Sequence, residues 1–207
     1  MSEPPELVYL ALGDSYTIGT GATHETRNFP SLLARRLESE TGRTVRVVNP
    51  AVNGFTTIDL LAKEIGFITR LNPQLVSVLI GVNDIVQGRT SEQYRESLAE
   101  IYDAIASLEV SPGRAAAISI PDWTVTPAAA GFGSPVELKR RTDEFNAIAR
   151  SEADKRAFTW VDIGPASRQR LNEPGWIAGD DLHPGDAQYA AWADEIWRRV
   201  GAVWSKA

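Results

Sequence analysis

The sequence predicts an α/β protein: a three-layer α/β/α sandwich built on a five-stranded parallel sheet with strand order 2-1-3-4-5. Three observations carry this expectation. Five short apolar runs recur along the 207 residues, helical hydrophobic periods lie between them, and no internal repeat or low-complexity linker divides the chain. Alternating strands and helices favour a parallel sheet covered on both faces, and right-handed crossovers leave few topologies. The length and a hydrophobic content of 43% suit one domain over 1–207 with a full core.

The apolar runs fall at 7–12, 44–48, 75–80, 115–120 and 158–163. Each is short enough for a strand buried on both faces. Between the first two, Phe29, Leu32, Leu33 and Leu37 share a helical face. Ile58, Leu61, Ile65 and Ile68 predict a second helix. Tyr94, Leu98, Ile101, Ile105 and Leu108 predict a third, opened by a Thr90–Gln93 capping box. The fourth starts at Ser134, with Pro135 in its first turn and Glu137 as the box acid, and buries Leu138, Phe145 and Ile148. The last runs from about 184 to 200, with Ala193, Ile196, Trp197 and Val200 inward.

Charge and composition exclude several functions. Lys and Arg number 21 against 27 Asp and Glu, a net charge of −6, which disfavours a phosphate backbone as partner. With no cysteine there is no disulfide, thiolate metal site or cysteine nucleophile. Two histidines, His24 and His183, rule out a histidine-rich metal centre. The start, 1–6, is acidic where a secretory signal would be basic, and no run is long enough to span a bilayer. The expectation is a cytoplasmic protein with no nucleic-acid partner and no stable membrane association. Oligomeric state is left open.

In a doubly wound, flavodoxin-like sheet of this order, ligands bind beyond the carboxyl ends of the strands. Four such ends carry chemistry: Gly13-Asp14-Ser15-Tyr16-Thr17, Asn49-Pro50-Ala51-Val52-Asn53-Gly54, Gly81-Val82-Asn83-Asp84 and, well past the fifth strand, Asp180-Asp181-Leu182-His183. A serine hydroxyl needs a base to become a nucleophile, and histidine suits that task near neutral pH. Asp180, three residues before His183, is placed to fix the tautomer and support the imidazolium. The backbone N–H groups of Ser15 and Gly54 and the Asn83 amide are candidate oxyanion donors. Taken singly, each group has a plainer use: Ser15 as a cap, Gly54, Asn83 and Asp84 as turn residues, Asp180 as a solvated acid, His183 as a helix N-cap. The combination at four strand ends points to acyl transfer. His24 stands in a polar loop without such company.

These blocks resemble the SGNH hydrolases, or GDSL esterases. Leu12-Gly13-Asp14-Ser15 is similar to the nucleophile block, 49–54 to the block with the oxyanion glycine, Gly81-Val82-Asn83-Asp84 to that with the oxyanion asparagine, and Asp180-Asp181-Leu182-His183-Pro184 to the acid–base block. The resemblance runs from Tyr9 to Trp192. Tyr16 replaces the family's leucine, and Ala51 stands where glycine is expected, which predicts a slightly reshaped second loop. The resemblance implies a serine hydrolase acting on small-molecule esters or thioesters, with Ser15, His183 and Asp180 as its triad; no cofactor or metal is expected.

Rival readings have weaker support. A Gly-x-Ser-x-Gly elbow is absent because position 17 is Thr. The 13–21 loop follows a strand as a phosphate loop would, but lacks the P-loop lysine. A metal bound by Asp180, Asp181 and His183 would draw three ligands from four residues. The 122–133 loop, with Trp123 and Phe132, is expected either to wall the acyl pocket or to pack under the following helix. An open, lidless site predicts short acyl groups of roughly two to four carbons. Lysophospholipase or thioesterase chemistry is the alternative.

Overall fold

The computed structural model describes residues 6–108 and 113–207; the acidic stretch at 1–5 lies outside the described residues. Five strands form one parallel sheet: β1 Leu7–Gly13, β2 Val45–Val48, β3 Leu75–Leu79, β4 Ala115–Ile118 and β5 Thr159–Val161, in the order β2-β1-β3-β4-β5. The central pair is in register from Tyr9 opposite Leu75 to Gly13 opposite Leu79. Every residue of β1, β3 and β4 is buried, as a sheet covered on both faces requires.

Nine helices surround the sheet among the described residues: α1 Ser15–Ile18, α2 Phe29–Thr41, α3 Thr57–Lys63, α4 Gly66–Leu71, α5 Val82–Val86, α6 Ser91–Ala106, α7 Pro135–Lys155, α8 Gly164–Ser167 and α9 Asp186–Trp204. The chain moves one way from β1 to β2 and the other way from β2 through β5. Right-handed crossovers therefore put α2 and α9 together on one face and α3, α6 and α7 on the other. Aromatic pairs key both layers to the core: Trp204 stands edge-on to Tyr9 at 5.0 Å, and Tyr94 stacks on Phe145 at 4.2 Å. No helix of the described residues is long and apolar enough to cross a membrane.

Three local expectations are corrected. The predicted helix with Ile58, Leu61, Ile65 and Ile68 on one face is two helices, α3 and α4, broken around Glu64. A Thr56–Asp59 capping box sets the start of α3 so that Leu60 faces the core and Ile58 is 52% exposed. At the head of α7, Pro135 sits in the first turn, but Ser134 makes no side-chain cap. Glu137 instead pairs with Arg140, one turn on, at 2.7 Å. The last helix begins at Asp186 with Gly185 as its N-cap, so His183 is free of the capping role and lies in the loop before it.

Candidate active site

The nucleophile candidate is presented by the turn that ends β1. Gly13 has φ +155°, and a Cβ there would lie 2.3 Å from the Leu79 carbonyl oxygen and 2.3 Å from Thr17 Oγ1, so only glycine fits. Asp14 then caps α1, its Oδ1 accepting the Tyr16 N–H at 3.0 Å. Ser15 opens the helix and is 7% exposed. Gly19 closes it one turn later in the left-handed conformation.

The loop after β2 is tied to this turn by side chains. Asn49 Nδ2 donates to the Thr17 carbonyl at 2.8 Å, and Thr20 Oγ1 donates to Asn53 Oδ1 at 2.5 Å. Gly54 adopts φ +83° with nothing within 4 Å of a notional Cβ, so its turn requires glycine for conformation rather than for space. Ala51 is buried with no positive φ, and its N–H bonds Asn49 Oδ1 at 3.3 Å, so alanine fits this loop without a special conformation.

After β3, α5 carries Asn83 and Asp84 toward the same edge. Asn83 Nδ2 donates to the Phe55 carbonyl at 2.9 Å, which orients the amide and leaves its second N–H for another acceptor. Asp84 is fully buried and accepts from Thr57 twice, from N–H at 3.0 Å and from Oγ1 at 2.6 Å. Arg89 Nε lies 3.1 Å from Asp84 Oδ1 without hydrogen-bond alignment, so charge carries that contact. Burial raises the Asp84 carboxyl, against the Thr57 bonds and the Arg89 charge.

Asp180 and His183 lie in the long loop before α9. An isolated bridge of Ile177 with Pro184 closes that loop, and the Ala178 N–H donates to the His183 carbonyl at 2.8 Å. Asp180 Oδ1 accepts the N–H groups of Leu182 and His183 at 3.0 and 2.9 Å, and Oδ2 meets His183 Nδ1 at 2.6 Å. Burial alone would raise the Asp180 carboxyl. Bonds from the His183 backbone and ring and the Leu182 backbone outweigh it and hold the group below the ordinary range. The Tyr16 ring lies 5.8 Å from that of His183 and is buttressed edge-on by Trp192 at 5.7 Å.

Ser15, Gly54, Asn83 and His183 thus line one cavity of about 160 Å³, with Asp180 bonded behind the histidine. Val82, Val86, Trp123, Phe132 and Leu182 supply its apolar wall. Trp123 meets both sequence expectations: its Nε1 donates to Thr142 Oγ1 on α7 at 3.1 Å, while the ring lines the cavity beside Phe132. The Ala128 N–H bonds the Asp181 carbonyl at 3.0 Å and so ties this loop to the Asp–His loop. His24 lies apart, capping a short 3₁₀ turn at Glu25–Arg27. Among the described residues no three His, Cys, Asp or Glu side chains cluster as a metal site. Sequence reasoning missed the buried acids Asp14, Glu64 and Asp84, and the Tyr16 packing beneath His183.

The acetylxylan esterase of Geobacillus stearothermophilus is 24% identical over 162 residues, covering 77% of this chain and 74% of that protein. An arylesterase of Vibrio mimicus is 28% identical over 176 residues, covering 84% and 78%. The crystal structure of Axe2, an acetylxylan esterase from Geobacillus stearothermophilus, superposes with a TM-score of 0.75 at 20% identity, covering 98% of this chain and 96% of that one. Residues 11–191 match the model of the GDSL-like Lipase/Acylhydrolase family; the chain belongs to that family and is a carboxylic ester hydrolase.

Proposed function

We propose that the enzyme is a serine esterase that cleaves short-acyl esters through an acyl-enzyme on Ser15. The observation that carries this reading is the convergence of four strand-end groups on one cavity, with His183 Nδ1 held by Asp180 at 2.6 Å. His183 Nε2 takes the Ser15 proton as Oγ attacks the ester carbonyl. Asp180 keeps Nδ1 protonated and stabilises the imidazolium that forms. The Ser15 and Gly54 N–H groups and Asn83 Nδ2 receive the oxyanion. Collapse breaks the bond to the alcohol, which leaves with the proton from His183. Water, deprotonated by the same histidine, then releases the acid and restores Ser15.

A small cavity of about 160 Å³ with a short apolar wall supports an acyl group of about two to four carbons. The acetylxylan esterase among the relatives agrees with a small acyl group. One feature favours a second reading. Phe132 and Val86 are 46% and 40% exposed at the cavity wall, so a longer chain has apolar surface to follow outward, as a lysophospholipase or thioesterase would need. Hydrolysis of p-nitrophenyl esters from acetate to decanoate tests the choice. A kcat/KM maximum at two to four carbons supports the short-acyl reading; a maximum at octanoate or beyond overturns it. Ser15→Ala lowers kcat by several powers of ten on every ester, and wild-type turnover in that variant defeats the mechanism.

A further inference from the structure

Beneath the nucleophile lies a group of buried acids that the chemistry above does not use. Glu64, at the break between α3 and α4, is fully buried, and its Oε2 accepts the Gly13 N–H at 3.0 Å. Asp14, next along the chain from Gly13, is also fully buried and spends Oδ1 on the Tyr16 N–H. The second oxygen of each, Glu64 Oε1 and Asp14 Oδ2, is buried with no hydrogen-bond donor. Asp84 differs, having two donors from Thr57 and the Arg89 charge.

An ionised oxygen shut away from water without a donor is expensive for each of the two groups. Protonation relieves both costs. Burial raises Glu64 to about 8, the Gly13 bond lowering it and the Asp14 charge raising it. Burial likewise raises Asp14 to about 8, opposed by the Tyr16 N–H and reinforced by Asp84. The other titratable groups coupled to this corner are Asp84 with Arg89, the phenols of Tyr16, Tyr94 and Tyr189, and His183 across the Tyr16 ring. Burial holds all three phenols above the ordinary phenol range, so they stay neutral while the two acids titrate.

We propose that Glu64 is a positioning residue for the nucleophile: buried, it grips the Gly13 amide and, together with Asp14 capping α1, fixes the turn that presents Ser15. The proposal rests on the reading of Ser15 as nucleophile. Its pH sense is definite. The folded enzyme keeps protons on the pair from the ordinary carboxylate range up to about 8, where the unfolded chain has lost them. The pair's contribution to stability therefore falls as pH rises through that window, and is level above it. Above about 8 the folded pair ionises and places negative charge beside the site of the developing oxyanion, so kcat declines.

Glu64→Gln and Glu64→Ala test this, with the rate of Ser15 labelling by a fluorophosphonate and the kcat and KM for p-nitrophenyl acetate measured across pH. Glutamine keeps an oxygen for the Gly13 N–H and carries no ionisable proton. It retains kcat at pH 7 within about threefold, and with only Asp14 left to ionise its alkaline decline is shallower than that of the wild type. Alanine lowers kcat about tenfold or more with KM within about twofold, and labelling slows in parallel. An unchanged alkaline limb in Glu64→Gln, or wild-type kcat in a folded Glu64→Ala, overturns the proposal. Should Glu64→Ala fail to fold, the Glu64→Gln profile decides alone. Failure of the probe to label Ser15 in the wild type defeats the nucleophile assignment, and this proposal with it. Labelled Ser15 with an unaltered Glu64→Gln profile defeats this proposal only.

Discussion

Replacing Asn83 with alanine removes one of the three donors assigned to the oxyanion and leaves the anchoring of α5 largely in place. Asn83 spends one amide hydrogen on the Phe55 carbonyl at 2.9 Å, which sets the direction of the other, whereas the tie from α5 to α3 runs through Asp84 and Thr57. A preorganised donor of this kind is worth about 2.7–4 kcal/mol in the transition state, so kcat falls about 10²–10³-fold. KM moves little, because the bond strengthens only as charge develops on the oxygen. The fold loses the Phe55 bond, about 1 kcal/mol, which lowers Tm by about 2–4 °C in a protein of this size. Initial rates on p-nitrophenyl acetate at saturating substrate, with a thermal melt alongside, separate the two effects. A raised KM at unchanged kcat, or an activity loss no larger than the stability loss explains, refutes the assignment.

Further outcomes follow from the same contacts. Asp180→Asn keeps the loop but alters the partner of His183 Nδ1, and cuts kcat/KM by about 10³–10⁴, as checked by steady-state kinetics on the acetate ester. Phe132→Ala opens the cavity wall beside Trp123 and shifts the preferred p-nitrophenyl ester toward longer chains; an unmoved optimum shows that Phe132 does not bound the acyl group. Gly13→Ala puts a Cβ 2.3 Å from the Leu79 oxygen in a positive-φ turn, and destabilises the fold by about 3 kcal/mol or more in urea titration. Glu152 is buried on α7, and although burial alone would raise it, Lys155, Arg156 and Arg95 at 2.7, 2.9 and 2.9 Å hold it at about 2. Its stabilisation is complete above the ordinary glutamate range and disappears as pH falls toward 2, so Glu152→Gln flattens the acid limb of a stability–pH curve.

The sheet was legible because its strands are continuous apolar runs between helical periods, and right-handed crossovers left few strand orders. The meeting of Ser15, Gly54, Asn83 and His183 at one cavity was legible from their places after β1, β2, β3 and β5, because strand ends in such a sheet converge. What stayed hidden depended on contacts distant in sequence. Glu64 lies within the predicted helical period, yet it sits at the break between α3 and α4 and reaches across 51 residues to the Gly13 amide. Asp84 reads as a turn residue and is buried, as is Asp14. Glu137 satisfied a capping pattern, but Arg140, one turn away, took the carboxylate. His183 before Pro184 resembled an N-cap because a proline suits a first turn, whereas the bridge of Ile177 with Pro184 delays α9 to Asp186.

The central claim, that Ser15 is the nucleophile activated by His183, is tested most directly by mapping the adduct of a fluorophosphonate on the intact enzyme by peptide mass spectrometry. The expected result is a single covalent adduct on Ser15 that forms in step with the loss of esterase activity, is absent in Ser15→Ala and forms far more slowly in His183→Ala. Inactivation with the adduct on another residue, or an esterase that stays fully active once Ser15 is modified, contradicts it.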